Sequence, residues 1–355
     1  MWAITSGWAE SESHLETSTH AATAFTQDSD QRIGSLPVLV VHAHSSCNCR
    51  CIMCDIWKTR DARSFGSNEL DPHLSSIRKL GVRWIVFSGG EPLLNPELPV
   101  LCTILRKENI RLTLLTTGLL LQKCAADVAR NFDDVIVSLD GPAAVHDAIR
   151  RVDGAFRLIE AGVAAARKFR PDFKITARTT VQKANHQHLQ ATVRAARELP
   201  LNAISFLAAD LTSSAFNRPV LWPIGRQEQI GLSLGELSVL EAEIESLIET
   251  NDCGGQDGFV LETPQKLRKI AAHFRAQLGL QTAAAPICNA PWVSAVIEVD
   301  GSVRPCFFHP PIGNLNDGTL ESIVNGDAAL KFRQNLRIEE DSICRRCVCS
   351  LHYRS

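Results

Sequence analysis

From Pro37 onward the chain alternates two kinds of segment, and that alternation leaves few folds open. Short apolar runs, "VLVV", "WIVFS", "LTLLTT", "DVIVSLD", "FKITARTTV" and "AISFLAAD", are separated by amphipathic stretches such as "ELDPHLSSIRKLG", "ELPVLCTILRKEN" and "HLQATVRAAREL". An apolar run of about four to six residues reads as a strand buried on both faces, and a helix-length crossover after each run makes consecutive strands parallel. Counting gives about six such units. Six fall short of the eight in a closed barrel, so the expected fold class is α/β, a partial (β/α)6 TIM-like barrel with a small C-terminal α+β domain. In that architecture chemistry sits on the loops that follow the strand C-termini.

The rhythm also sets domain limits. Residues 1–36 carry no sustained apolar period and read as a disordered or loosely packed lead-in. The barrel is expected over 37–232, and the end of that span, "LTSSAFNRPVLWPIGRQEQIGLS", reads as a loop that could line a substrate pocket through Arg218, Trp222 and Arg226, although a surface loop is the plainer reading. A connector over 233–285 holds two expected helices, around Glu236–Glu249 and Pro264–Leu278, and a second domain spans 286–355. A net charge of −2, with no long Lys/Arg block, gives no electrostatic footprint for nucleic acid or an anionic membrane surface. No stretch reaches the roughly eighteen apolar residues of a membrane span, and the N-terminus lacks a signal-peptide pattern, so a cytoplasmic protein is expected.

In a reducing compartment the twelve cysteines are poorly explained as disulfides, and clustered ones are better explained as metal ligands. After the first strand, "HAHSSCNCRCIMCDIWK" places Cys47, Cys51 and Cys54 as C-x3-C-x2-C, with Cys49 between the first two. Structural zinc wants four closed ligands, whereas a cubane iron–sulfur cluster on three thiolates leaves one iron open to a small molecule. A zinc knuckle completed by Cys49 or His44, and a chance group of thiols, remain alternatives. One strand later, "WIVFSGGEPLLNP" puts Gly89 and Gly90 at a strand tip, where backbone without side chains can approach a ligand closely.

Together these two motifs resemble the radical S-adenosylmethionine (radical SAM) superfamily. The resemblance covers about Pro37 to Asp210, with Met53 standing where the family usually has an aromatic residue. It implies that Cys47, Cys51 and Cys54 hold a [4Fe-4S] cluster whose open iron binds SAM, and that SAM is cleaved to a 5′-deoxyadenosyl radical. It further implies that Gly89, Gly90 and Glu91 hold the methionine end of SAM. Ser138 and Asp140 at the end of the fourth strand and Arg178 on the fifth match the family's polar SAM contacts, with ordinary strand-end polarity as the alternative.

The C-terminal region contains Cys288 and Cys306 in the form C-x12-G-x4-C. "SAVIEV", "DG" and "SVRPC" between and around them read as a hairpin, and "CRRCVC" supplies Cys344, Cys347 and Cys349. This combination resembles a Twitch or SPASM domain. It implies an auxiliary [4Fe-4S] cluster on Cys288, Cys306, Cys344 and Cys347, with Cys349 an alternative last ligand. Cys102, Cys124 and Cys253 read as isolated thiols. The resemblance implies an oxidoreductase-like enzyme supplied by a reducing donor such as flavodoxin or ferredoxin. The expected substrate is a small hydroxylated metabolite undergoing oxidation or rearrangement. Peptide modification is the second reading, and a zinc-stabilised binding module is the reading from another class.

Overall fold

A computed structural model describes residues 3–4, 31–250 and 258–353. Its centre is one nine-stranded sheet. Six strands come from the alternating region: β1 (Val38–His44), β2 (Trp84–Gly89), β3 (Arg111–Thr116), β4 (Asp134–Ser138), β5 (Lys174–Val181) and β6 (Ile204–Ala208). They are parallel throughout, and pairs such as Val38 with Trp84 and Ser138 with Arg178 align them in register. Every residue of β1 is buried, as a strand covered on both faces requires.

The two faces of the sheet bury different things. Leu39, Val41, Ile85, Phe87, Leu112 and Leu114 face the main core with the crossover helices. Val40 and Val86 point the other way and pack with Val296, Phe307, Phe308 and Cys349 from the C-terminal region. That second cluster comes from the cysteine-bearing end of the chain, which therefore fills the concave side of the open barrel.

The C-terminal hairpin forms as expected, with β7 (Ser294–Ile297) antiparallel to β8 (Ser302–Arg304) and a turn whose Gly301 has φ +82°. Instead of building a sheet of its own, it extends the barrel sheet: β7 lies parallel to β1, Val38 opposite Ser294, and a short β9 (Gly313–Asn314) ends that side. The order is β9-β8-β7-β1-β2-β3-β4-β5-β6. At the far edge, Phe259 and Leu261 bond the backbone of Ile204, so a short segment covers the exposed side of β6.

Two expectations need correction. Residues 31–36 are packed rather than loose: Leu36 is fully buried and its N–H donates to Leu80 O, while Ile33 and Asn325 exchange two hydrogen bonds. Most of the remaining lead-in lies outside the described residues, although Ala3–Ile4 pairs with Ser350–Leu351. The expected loop after β6 contains a helix, Ile224–Ile230. The connector helices run Leu234–Glu249 and Pro264–Gln277, and a Ser233–Glu236 capping box starts the first of them. Among the described residues no helix is long and apolar enough to cross a membrane.

Candidate active site

The loops at the C-terminal ends of the barrel strands surround one cavity of about 140 Å³. Cys47, Cys51 and Cys54 line it from the loop after β1, Gly89 and Gly90 from the tip of β2, Thr116 and Thr117 from β3, Ser138 from β4, and Arg178 and Thr180 from β5. Of the expected barrel-site residues, the structure brings all to this cavity except Glu91 and Asp140.

Glu91 is fully buried beneath the cavity, and its carboxylate accepts from Thr116 Oγ1, Thr117 N and Thr117 Oγ1, each at 2.7 Å, and from Leu93 N at 3.1 Å. Burial pushes this carboxyl above its ordinary range, against the pull of those donors. Its place in the fold is to fix Thr116 and Thr117, which do face the cavity. The glycine pair has an equally local cause. Gly90 N donates to His44 O and Glu91 N to Ser46 O. A Cβ at Gly90 would stand 2.0 Å from Ser46 O, and one at Gly89, which has φ +116°, 2.6 Å from His44 O. Only glycine lets β2 meet the start of the cysteine loop this closely.

The cysteine loop is held from two sides. Arg50 N and Ile52 N donate to the carbonyls of Arg150 and Ile149 at the end of the helix Ala143–Arg150. Arg150 is buried; its guanidinium pairs with Asp140 at 2.6 Å and donates to Cys51 Sγ at 3.5 Å. Asp140 faces Arg150 and accepts from Thr180 N rather than lining the cavity. On the other side the segment after β6 closes over the loop. Arg218 donates to Met53 O and pairs with Asp210 at 2.8 Å, Trp222 Nε1 donates to Asp55 Oδ2 at 2.7 Å, and Arg226 donates to Ile52 O. The Trp222 ring is stacked on Arg218, 3.6 Å from ring centroid to guanidinium. The segment is split: Val220, Leu221 and Ile224 are exposed as a surface loop requires, whereas Arg218 and Trp222 are buried against the cysteine loop. Their sequence signal was slight, because arginine and tryptophan in a loop also occur at ordinary surfaces.

A second, smaller cavity of about 60 Å³ gathers Cys288, Cys306, Cys344, Cys347 and Cys349 with Val38, Val40, Phe307 and Phe308. All five C-terminal thiols, including the alternative Cys349, thus meet in one place. His309 joins them, its Nε2 3.4 Å from Cys344 Sγ. Sequence reasoning passed over this histidine, although "PCFFH" places it three residues after a candidate ligand. Cys102 is buried in the helix Leu98–Arg106, Cys124 stands just before the helix Ala125–Asn131, and Cys253 lies outside the described residues.

The chemistry of these thiols tests whether a metal centre fits. Burial pushes Cys54 up to about 12, Cys306 to about 11 and Cys349 to about 12, so with no cation beside them they stay neutral. Cys51 goes the other way, lowered mainly by the Cys49 thiol and further by Arg150. Buried thiols collected at one point become thiolates only beside a strong positive charge, which a metal centre supplies. Both donor sets fit a cluster.

A third, open cavity of about 580 Å³ adjoins the first, sharing Ile56, Gly89, Gly90, Phe216 and Phe307 with it. His42 borders it: Nδ1 lies 2.6 Å from Glu298 Oε2, while the buried Nε2 has no partner. Phe307 lines all three cavities, its ring 5.6 Å from the His42 ring.

Comparison with known proteins agrees with this geometry. Residues 43–196 match the family model described as the radical SAM superfamily, and residues 288–348 match the SPASM model, described as an iron–sulfur cluster-binding domain. The chain thus carries a radical SAM domain followed by a SPASM domain, and it spans less than half the length of the first curated relatives it matches. These domains imply a [4Fe-4S] cluster with SAM and auxiliary iron–sulfur binding. An AdoMet-dependent heme synthase of Methanosarcina barkeri is 30% identical over 160 residues, 44% of this chain and only 45% of that protein. The Fe-coproporphyrin III synthase of the same organism is 28% identical over 345 residues, covering 90% of this chain and 83% of its own. Native anSMEcpe with bound AdoMet shares the fold at a TM-score of 0.63, with 18% identity and 87% of each chain covered.

Proposed function

We propose that this enzyme abstracts hydrogen from a small molecule bound in the open cavity and completes a net oxidation there. The observation that carries the reading is the shared wall: Phe307 borders the SAM-side cavity, the open cavity and the C-terminal thiol cavity at once. Cys47, Cys51 and Cys54 are proposed to hold the [4Fe-4S] cluster, with Gly89, Gly90, Ser138 and Arg178 positioning SAM. Cys288, Cys306, Cys344 and Cys347, or Cys349 as the last ligand, are proposed to hold the auxiliary cluster. When bound, the first centre with SAM supplies hydrogen abstraction, and the second supplies one-electron relay beside the substrate.

The chain's own residues do the rest. Phe216 and Phe307 form an apolar wall that keeps water from the reacting carbon. Glu298, held by His42 Nδ1 and Arg304, presents a carboxylate at the wall of the open cavity that can accept a hydrogen bond from a substrate hydroxyl. Two substrate classes are in view. A small hydroxylated metabolite is what the polar wall of Glu298, Asp300 and Arg304 suits. A tetrapyrrole is supported by the relatives named for heme and Fe-coproporphyrin III synthesis. The test is SAM-dependent formation of 5′-deoxyadenosine by anaerobically reconstituted enzyme, offered hydroxylated metabolites, iron coproporphyrin III or peptides in turn. Stimulation by a small molecule with a product two electrons more oxidised is expected; stimulation by peptides alone overturns the reading.

A further inference from the structure

Bordering the C-terminal thiols, a groove of about 380 Å³ runs between the helix Pro264–Gln277, the edge strand β6 and the segment 345–350. Its walls carry Lys266, Lys269, Arg345 and Arg346, and its floor includes Cys347 and Cys349, which also line the C-terminal thiol cavity. Glu262 is the one acidic residue among those lining it. It is buried, with Oε2 accepting from Phe206 N at 2.9 Å, and burial pushes its carboxyl up to about 7. His273 is held neutral by burial, at about 4, and adds no charge. The groove thus presents four cations in a chain whose net charge is −2. These cations line the same groove as Cys347 and Cys349.

We infer that this groove is the docking surface for an acidic protein that carries single electrons, and that it delivers or collects them at the C-terminal thiol centre. The argument is charge complementarity together with position. A basic rim raises the encounter rate of an acidic partner and orients it, while contributing less to the lifetime of the complex. The groove and the open cavity share no lining residue, so a docked carrier and a bound substrate do not compete for space. In the docked pair one electron moves, the carrier is oxidised as the chain's centre is reduced or the reverse, and no covalent bond changes.

The test uses full-length reconstituted protein and reduced flavodoxin as the probe. The variants are Lys266→Glu/Lys269→Glu/Arg346→Glu, and Lys168→Glu, at an exposed position of the helix Ala155–Phe169, as a charge control. At low ionic strength the triple variant should bind flavodoxin about tenfold more weakly and be reduced by it about tenfold more slowly. Lys168→Glu should match the unmodified chain, dithionite should reduce all three equally, and raised salt should erase the flavodoxin difference. Unchanged flavodoxin binding and reduction in the triple variant would overturn the inference. An equal loss with dithionite would also overturn it, because the groove residues would then be supporting the centre rather than receiving a partner.

Discussion

His146 shows how a single side chain here converts burial into pH dependence. It is fully buried, accepts from Asp140 N through Nδ1 at 3.1 Å, and is pulled down to about 3, chiefly by burial and further by the Arg150 charge. Its ordinary value is about 6.5. Between those limits the unfolded chain binds a proton that the folded chain refuses. Stability is therefore complete above about 6.5 and falls as the pH drops toward about 3, by about 1.4 kcal/mol per pH unit for this group. In urea titrations between pH 7 and pH 4, His146→Gln should show a shallower acid loss than the unmodified chain. Parallel curves would contradict the assignment.

At the scale of elements, strands were the legible part and loops the obscure part. Six apolar runs with helix-length spacers announced the parallel strands, because burial on both faces writes itself as an unbroken apolar run. The cysteine loop and the glycine pair could be read because their spacing is rigid. The role of Glu91 could not, since a motif gives the order of residues but not which way a carboxylate turns. Nor could the clamp formed by Arg218, Trp222 and Arg226, whose partners Met53, Asp55 and Ile52 lie more than a hundred and sixty residues away. That clamp makes a prediction. Trp222→Ala removes a buried indole, its bond to Asp55 and the stack under Arg218, and should cost about 3–5 kcal/mol. Trp222→Phe keeps the stack and should cost about 1–3 kcal/mol. Equal urea midpoints for the two variants would mean that the bond to Asp55 and the stack do not contribute separately.

For the whole molecule, the decisive feature is that barrel and C-terminal region are one sheet. Because β7 pairs with β1, the C-terminal thiols sit against the concave face through Val40, Phe307 and Phe308. A hairpin was visible in the sequence, but its pairing partner was not, since strand pairing over about 250 residues leaves no local trace. The account stands on two separate thiol sites. The measurement that tests it most directly is iron and acid-labile sulfide content after anaerobic reconstitution. It compares the unmodified chain with Cys47→Ala/Cys51→Ala/Cys54→Ala and with Cys306→Ala/Cys347→Ala. The account predicts about eight irons in the unmodified chain and about four in each variant, with SAM cleavage lost in the first. Zinc in place of iron, or iron unchanged by either set of substitutions, would contradict it.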